Sequence, residues 1–147
     1  MRLRLLLTLL LAPLAAQAET CEATVGSADT MSFDVRTINV PSSCESFTVH
    51  FEHRGRMPKT GMGHNWVLTR ATDVEGVAKA GVAAGAASGF VPQGDSRVIA
   101  ATPLLGGGER ASVSFKVGML AKDDKYTYFC SFPGHWSMMR GTLKLGA

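Results

Sequence analysis

Apolar and polar residues alternate with a period of two in short runs that glycine, proline and serine cut apart, and this narrows the folds open to the chain more than any other feature. Phe33 and Val35 alternate with Ser32, Asp34 and Arg36. Phe47, Val49 and Phe51 alternate with Thr48, His50 and Glu52, and Val113, Phe115 and Val117 with Ser112, Ser114 and Lys116. Leu143 and Leu145 repeat the pattern near the end. Successive side chains of a strand point to opposite faces, so each run makes a strand with one dry and one wet side. Short strands of this kind, with no repeat or low-complexity segment to compete, predict an antiparallel β-sandwich or barrel.

One stretch breaks the period. Between Thr72 and Ala87 the apolar residues Val74, Val77, Ala78 and Val82 follow helical spacing, and Thr72 with Glu75 makes a capping-box signature. Gly76, Gly81 and Gly85 weaken such a helix by about 1 kcal/mol each relative to alanine, so it must lean on tertiary packing. It is expected to be a helical flap outside the sheets that carries no chemistry. The Leu104–Glu109 segment, LLGGGE, reads as a hairpin-like loop. Neither a GxGxxG nor a GKT signature gives it a phosphate-binding context.

The first residues, MRLRLLLTLLLAPLAAQA, combine two arginines, an apolar run and a small-residue ending, the pattern of a secretory signal cleaved after Ala18. Pro13 interrupts the apolar run, which is shorter than the roughly 20 residues a membrane span needs. The expected organisation is a signal peptide at 1–18 and one domain at 19–147, periplasmic and not membrane-bound after cleavage. Cleavage removes Arg2 and Arg4 and no acids, which lowers the formal net charge from +3 to +1. That gives no support for nucleic acid or for a strongly charged partner. An exported chain with three cysteines can pair two of them. Cys21 and Cys44 bracket the first strands, whereas Cys130 stands among residues of a different kind. A bridge closing the first loop stabilises by roughly 3 kcal/mol on the chain-entropy model.

Those residues lie in Lys125–Gly141, KYTYFCSFPGHWSMMRG. Cys130, His135 and Met139 fall within ten positions around the Pro133-Gly134 turn. A thiolate, an imidazole and a thioether prefer copper to hard cations, and the set lacks one histidine of a trigonal His2Cys site with a weak axial methionine. His64, in Gly61–Val67, GMGHNWV, is the best candidate for it and reads as the start of a strand. A structural zinc site would call for another strong ligand in paired spacing, which is missing. A cysteine nucleophile would need an orienting group and an oxyanion hole that SFPGHW does not suggest. Multicopper chemistry needs many more histidines than the four present. Of the other two, His50 sits on the polar parity of its strand.

GMGHNWVL, YFCSFPGHWSMMRGTL and the pair Cys21 and Cys44 closely resemble the azurin family, the blue copper proteins of the cupredoxin superfamily, over nearly all of Glu19–Gly146. The resemblance implies a cupredoxin-type Greek-key β-sandwich or barrel, with Trp66 in its core, and a periplasmic one-electron carrier rather than an enzyme. It implies one type 1 copper held in the plane by His64, Cys130 and His135, with Met139 and the Gly63 carbonyl as weak axial neighbours. The main-chain amides of Asn65 and Phe132 would donate to the Cys130 sulfur, Asn65 would tie its strand to Ser131, and His53 would lie partly buried near the metal. Met62, Phe132 and Met138 would surround His135 as an apolar docking patch. Trp136, where the family commonly has a small residue, would alter the patch's shape. The implied partners are redox proteins, of the cytochrome c type or a periplasmic reductase or oxidase, docking weakly and transiently on a monomer. The alternative function is a periplasmic copper carrier.

Overall fold

The structure, a computed structural model, describes residues 20–146; the expected signal segment and the start of the domain at residue 19 lie outside the described residues. Two sheets face each other. One has the order β1–β3–β6, formed by Glu22–Ser27, Ser46–His53 and Arg110–Lys116. The other has the order β2–β8–β7–β4–β5, formed by Thr37–Val40, Arg140–Leu145, Tyr126–Phe129, Val67–Arg70 and Ala100–Ala101. Helix α1 spans Lys59–Met62 and α2 spans Val74–Ala84. Two short 3-10 turns cover Ala86–Ser88 and Val117–Met119.

The sheets are mixed rather than antiparallel as expected, because β1 lies parallel to β3 and β2 parallel to β8. Parallel neighbours require a crossover, and β2, placed in the opposite sheet, is the crossover between β1 and β3. Alternation sets the registers: Phe47, Val49 and Phe51 are buried while Thr48, His50 and Glu52 face outward. His50 bonds Ser112 across the strand pair and Glu22. The core between the sheets packs Val25, Phe33, Ile38, Phe47, Phe51, Trp66, Tyr128 and Leu143, and Trp66 stacks on Tyr128 at 5.5 Å. Cys21 and Cys44 form a disulfide across the first strands.

Three expectations are corrected. The run at Phe33–Val35 makes a single bridge, Ser27 to Phe33, because Asp34 turns back to take the Gly26 amide at 2.7 Å and the Arg54 guanidinium. The capping box is not used: the helix begins at Val74 after Asp73, no side chain caps it, and Glu75 pairs with Lys79 instead. Val82 is 49% exposed, since the face α2 buries is that of Val74, Val77, Ala78 and Gly81, of which the first three pack with Val67 and Phe129.

Close approach explains Gly141. A Cβ there would lie 2.2 Å from the ring and hydroxyl of Tyr128. That ring has no room to retreat, being held by Trp66, by Phe33 and by its bond to the Val35 carbonyl. Gly141→Ala is therefore expected to cost about 1–3 kcal/mol by overpacking, a fall of roughly 5–10 °C in thermal midpoint. Gly118→Ala, with nothing within 4 Å, should leave the midpoint unchanged. Equal midpoints for the two variants would contradict this account.

Candidate metal centre

Strand pairing brings the two halves of the site together. β4 and β7 are antiparallel, with Val67 opposite Phe129, so the segment entering β4 and the segment leaving β7 sit at the same end. His64 is on the first. Cys130 opens the second, and His135 and Met139 follow before the chain re-enters the sheet at β8. The Cys130 amide donates to the Met139 carbonyl at 3.0 Å and closes the loop. Within it the His135 carbonyl accepts from Met138 and Met139, and the His135 amide donates to Phe132. Gly134, at φ 83°, takes the left-handed corner that favours glycine.

The His64, Cys130 and His135 donor atoms lie within 4.8 Å of one another. The Cys130 Sγ is 3.8 Å from His64 Nδ1 and 3.6 Å from His135 Nδ1. Bonds of about 2.1 Å to imidazole and 2.3 Å to thiolate, set 120° apart, separate sulfur from nitrogen by about 3.8 Å, so the spacing fits one trigonally held ion. The Gly63 carbonyl oxygen lies 3.9 Å from the sulfur. A side chain at Gly63 would strike the Lys59 carbonyl, with its Cβ 2.4 Å away. Met139 is fully buried beside Cys130.

His64 and the segment that follows Cys130 are held by groups outside the set. His64 Nε2 lies 2.9 Å from the Ala28 carbonyl. A carbonyl can only accept, so Nε2 carries the proton and Nδ1 presents a lone pair toward Cys130. The His64 main chain exchanges two bonds with Leu105, at 3.0 and 2.7 Å. The buried His53 stacks on His64 at 4.6 Å, with Nε2 on the Met62 carbonyl and Nδ1 taking the Gly55 amide. Asn65, fully buried, accepts from the Ser131 amide at 2.8 Å and donates to Ser131 Oγ at 2.8 Å and to the Gly89 carbonyl at 3.0 Å.

Electrostatics follow burial. Desolvation pushes the Cys130 thiol up to about 12, against the Asn65 and Phe132 amides that bond its sulfur and lower it. Desolvation likewise lowers His64 to about 4, and lowers His135. At the surface, the His135 ring meets Phe132 at 4.7 Å, and Phe132 meets Phe90 edge-on at 5.4 Å. Met138 is 60% exposed, whereas Met62 and Phe132 are half-buried. Trp136 packs with Val67, Phe129 and the buried face of α2, so the flap bears on the ligand loop.

Several supporting residues gave no signal in the sequence. Ala28 and Leu105 act through their main chains, which composition does not reveal, and the Leu105 contact makes LLGGGE part of the site. Phe90 adopts φ 59°, a left-handed conformation that costs a non-glycine residue about 1–2 kcal/mol. Gly89 offered the one readable hint, as a turn residue after the helix.

Among known proteins, the profile of copper binding proteins of the plastocyanin/azurin family matches residues 19–146. Azurin iso-2 of Methylomonas sp. strain J is 66% identical over 125 residues, 85% of this chain and 97% of that protein. The azurin of Methylobacillus flagellatus is 51% identical over 146 residues, 99% of each chain. A solved structure of the Methylomonas azurin iso-2 superposes with a TM-score of 0.85 at 64% identity, covering 88% of this chain and all of that one. The sandwich is thus of the cupredoxin type.

The lowered histidines set an acid dependence for the metal-free protein. A histidine held at about 4 in the fold and near 6.5 when unfolded contributes fully above 6.5 and loses that contribution as pH falls toward 4. For His64 the difference is worth up to about 3 kcal/mol, and His135 adds in the same direction. Urea unfolding of metal-free protein should show lower stability at pH 4.5 than at pH 7.5. Equal stability at both would mean that the imidazoles are not desolvated.

Proposed function

We propose a residue-level reading from one premise: the chain belongs to the plastocyanin/azurin family of copper-binding proteins and is a blue copper electron carrier with one type 1 site. In this reading His64 Nδ1, Cys130 Sγ and His135 Nδ1 would be the strong donors that hold the copper, and Met139 and the Gly63 carbonyl would be weak ones. The carrying observation is the donor spacing of 3.6 and 3.8 Å around a buried sulfur. Bound copper supplies a one-electron Cu(I)/Cu(II) couple and an intense thiolate charge-transfer colour.

The residues do the rest. Cys130 gives up its thiol proton on metal binding, and the Asn65 and Phe132 amides stabilise the charge left on sulfur. The Ala28 carbonyl keeps His64 in the tautomer that presents Nδ1. These contacts are made by main-chain groups of loops at the end of the sheets, so the donors are held in place before metal arrives, and such a site would reorganise little on electron transfer. Cys130 is 0% exposed, which supports a carrier over a cysteine nucleophile, since a nucleophile must be reached by substrate. His135, 5% exposed beside the fully buried His64, Cys130 and Met139, is the electron's exit. Met62, Phe132, Met138 and the exposed edge of Trp136 form its apolar surround. Partners are redox proteins, a c-type cytochrome or a periplasmic reductase or oxidase, meeting a monomer in small, short-lived encounters. A periplasmic address is supported by the leader-like residues 1–18 and by the Cys21–Cys44 disulfide. No helix among the described residues is long and apolar enough to cross a membrane.

Two outcomes are expected. Cys130→Ser should abolish the blue band of the Cu(II)-loaded protein, whereas Met139→Leu should keep it and shift the reduction potential. A blue Cys130→Ser protein would refute the ligand assignment. Met62→Lys should slow electron self-exchange by an order of magnitude or more, because two like charges then meet face to face, with the spectrum nearly unchanged. Wild-type rates in that variant would place the exit on another face.

A further inference from the structure

The outer face of the five-stranded sheet is only partly covered. Helix α2 lies over β4 and β7 through Val67 and Phe129, while the outward residues of β2 and β8 are exposed. Three threonines line up across three strands there, Thr37 opposite Thr142 and Thr142 opposite Thr127. Around them lies a depression of about 600 Å³ lined by Arg36, Thr37, Thr127, Met138, Arg140, Gly141 and Thr142. A second, of about 430 Å³, shares Thr127 and Thr142 and extends the surface to Lys122, Lys125 and Lys144.

The charge on this face is one-sided. Arg36, Arg140, Lys122, Lys125 and Lys144 are exposed, and none has an ion-pair partner among the described residues. Elsewhere Arg54, Lys59, Arg70, Lys79 and Arg97 are each paired, and Arg56 and the β6 residues Arg110 and Lys116 are the exposed cations without an ion pair among the described residues. No acid occurs in β2, β7 or β8; Asp124, which lines the second depression, is held by Arg70 at 2.7 Å, and its neighbour Asp123 is exposed. A formal charge near zero therefore conceals a cationic band. The band also has a direction: Arg140 directly follows Met139, and Met138 lines the depression while standing on the ligand loop.

We propose that this band is a docking surface for an acidic protein partner, one of whose carboxylates seats between Arg36 and Arg140 on the threonine row. Guanidinium groups offer paired donors that match a carboxylate, and hydroxyls can complete its remaining contacts. A partner engaged here lies alongside the ligand loop. That the partner then exchanges an electron rests on the carrier reading above; the docking itself does not. Hetero-association through this band is salt-dependent, unlike an apolar encounter of two copies at His135.

The test uses nitrogen-labelled, copper(I)-loaded protein titrated at low salt with hexaglutamate peptide, and in parallel with hexalysine and inorganic phosphate. Hexaglutamate should shift the amides of Thr37, Thr127, Arg140 and Thr142 saturably, and about 0.5 M salt should abolish the effect. The double variant Arg36→Gln with Arg140→Gln should lose about tenfold in affinity. The variant Arg110→Gln with Lys116→Gln, which removes the same charge from β6 on the other sheet, should lose less than about twofold. No binding, shifts centred on the three-stranded sheet, or equal losses in the two variants would overturn the proposal. Phosphate that bound as tightly as the peptide would reduce the band to a small-anion pocket and overturn it too. The blue colour of the Cu(II) form is read separately: colourless protein that still bound peptide would refute the metal reading and leave this one standing.

Discussion

The Asn65 side chain is the contact on which the site's architecture depends. Its amide is fully buried and makes three bonds that join the loop bearing His64, the loop bearing Cys130 and the end of the flap at Gly89. A buried amide without partners costs about 1–3 kcal/mol per lost bond, so the three segments stay together once they meet. Its main-chain amide also reaches the Cys130 sulfur. One residue thus fixes the distance between two donors and tunes the charge on one of them.

The sheets and the loops divide the work. Alternating apolar residues build the sandwich, Cys130 and Met139 join the end of its core, and the donors sit there on segments made rigid by main-chain bonds from distant positions: Ala28, Leu105, Met139 and Gly89. Rigidity matters because a copper centre that keeps its ligand positions between oxidation states has little to rearrange. Burial sharpens the same point. It disfavours charge on sulfur and on both imidazoles, so the free site favours neutral groups, and deprotonation of Cys130 comes with metal binding.

What could be read from the sequence follows this division. The strands at Ser46–His53 and Arg110–Lys116 were legible because burial on one face enforces period two over seven or eight residues. Cys130, His135 and Met139 stood out because soft donors are rare and were close in sequence, and the structure brings them beside His64, which sequence distance alone would not have selected. The parallel pairings were not legible, since which edge β1 and β2 join is a property of topology and not of any residue in them. Phe33–Val35 misled because alternation there reflects burial of Phe33 at a turn whose ladder Asp34 interrupts. The capping box misled because Thr72 and Glu75 have the right spacing while tertiary packing starts the helix later. Carbonyl contacts from Ala28 and Leu105 leave no trace in residue identity at all.

The surface follows a different logic from the site. Inside, a low dielectric makes a mismatch costly, and among the described residues only the Ser27 hydroxyl and the Trp66 indole N–H are buried side-chain polar groups without a hydrogen-bond partner. Outside, water removes that constraint, so Arg36 and Arg140 can remain without acids at almost no cost in stability. Unpaired charge at the surface is therefore free to vary without disturbing the fold, and the gathering of Arg36, Arg140 and Lys144 along the β2–β8 edge is not required by the sandwich. The apolar ring around His135 is different, because Phe132 both shields the imidazole and faces outward. In the proposed reading, a change there acts on the metal's surroundings and on docking together. On the docking proposed for the band, the Arg36 and Lys144 charges bear on partner choice at positions remote in sequence from the donors, whereas Arg140 directly follows Met139 and Met138 is shared with the ligand loop.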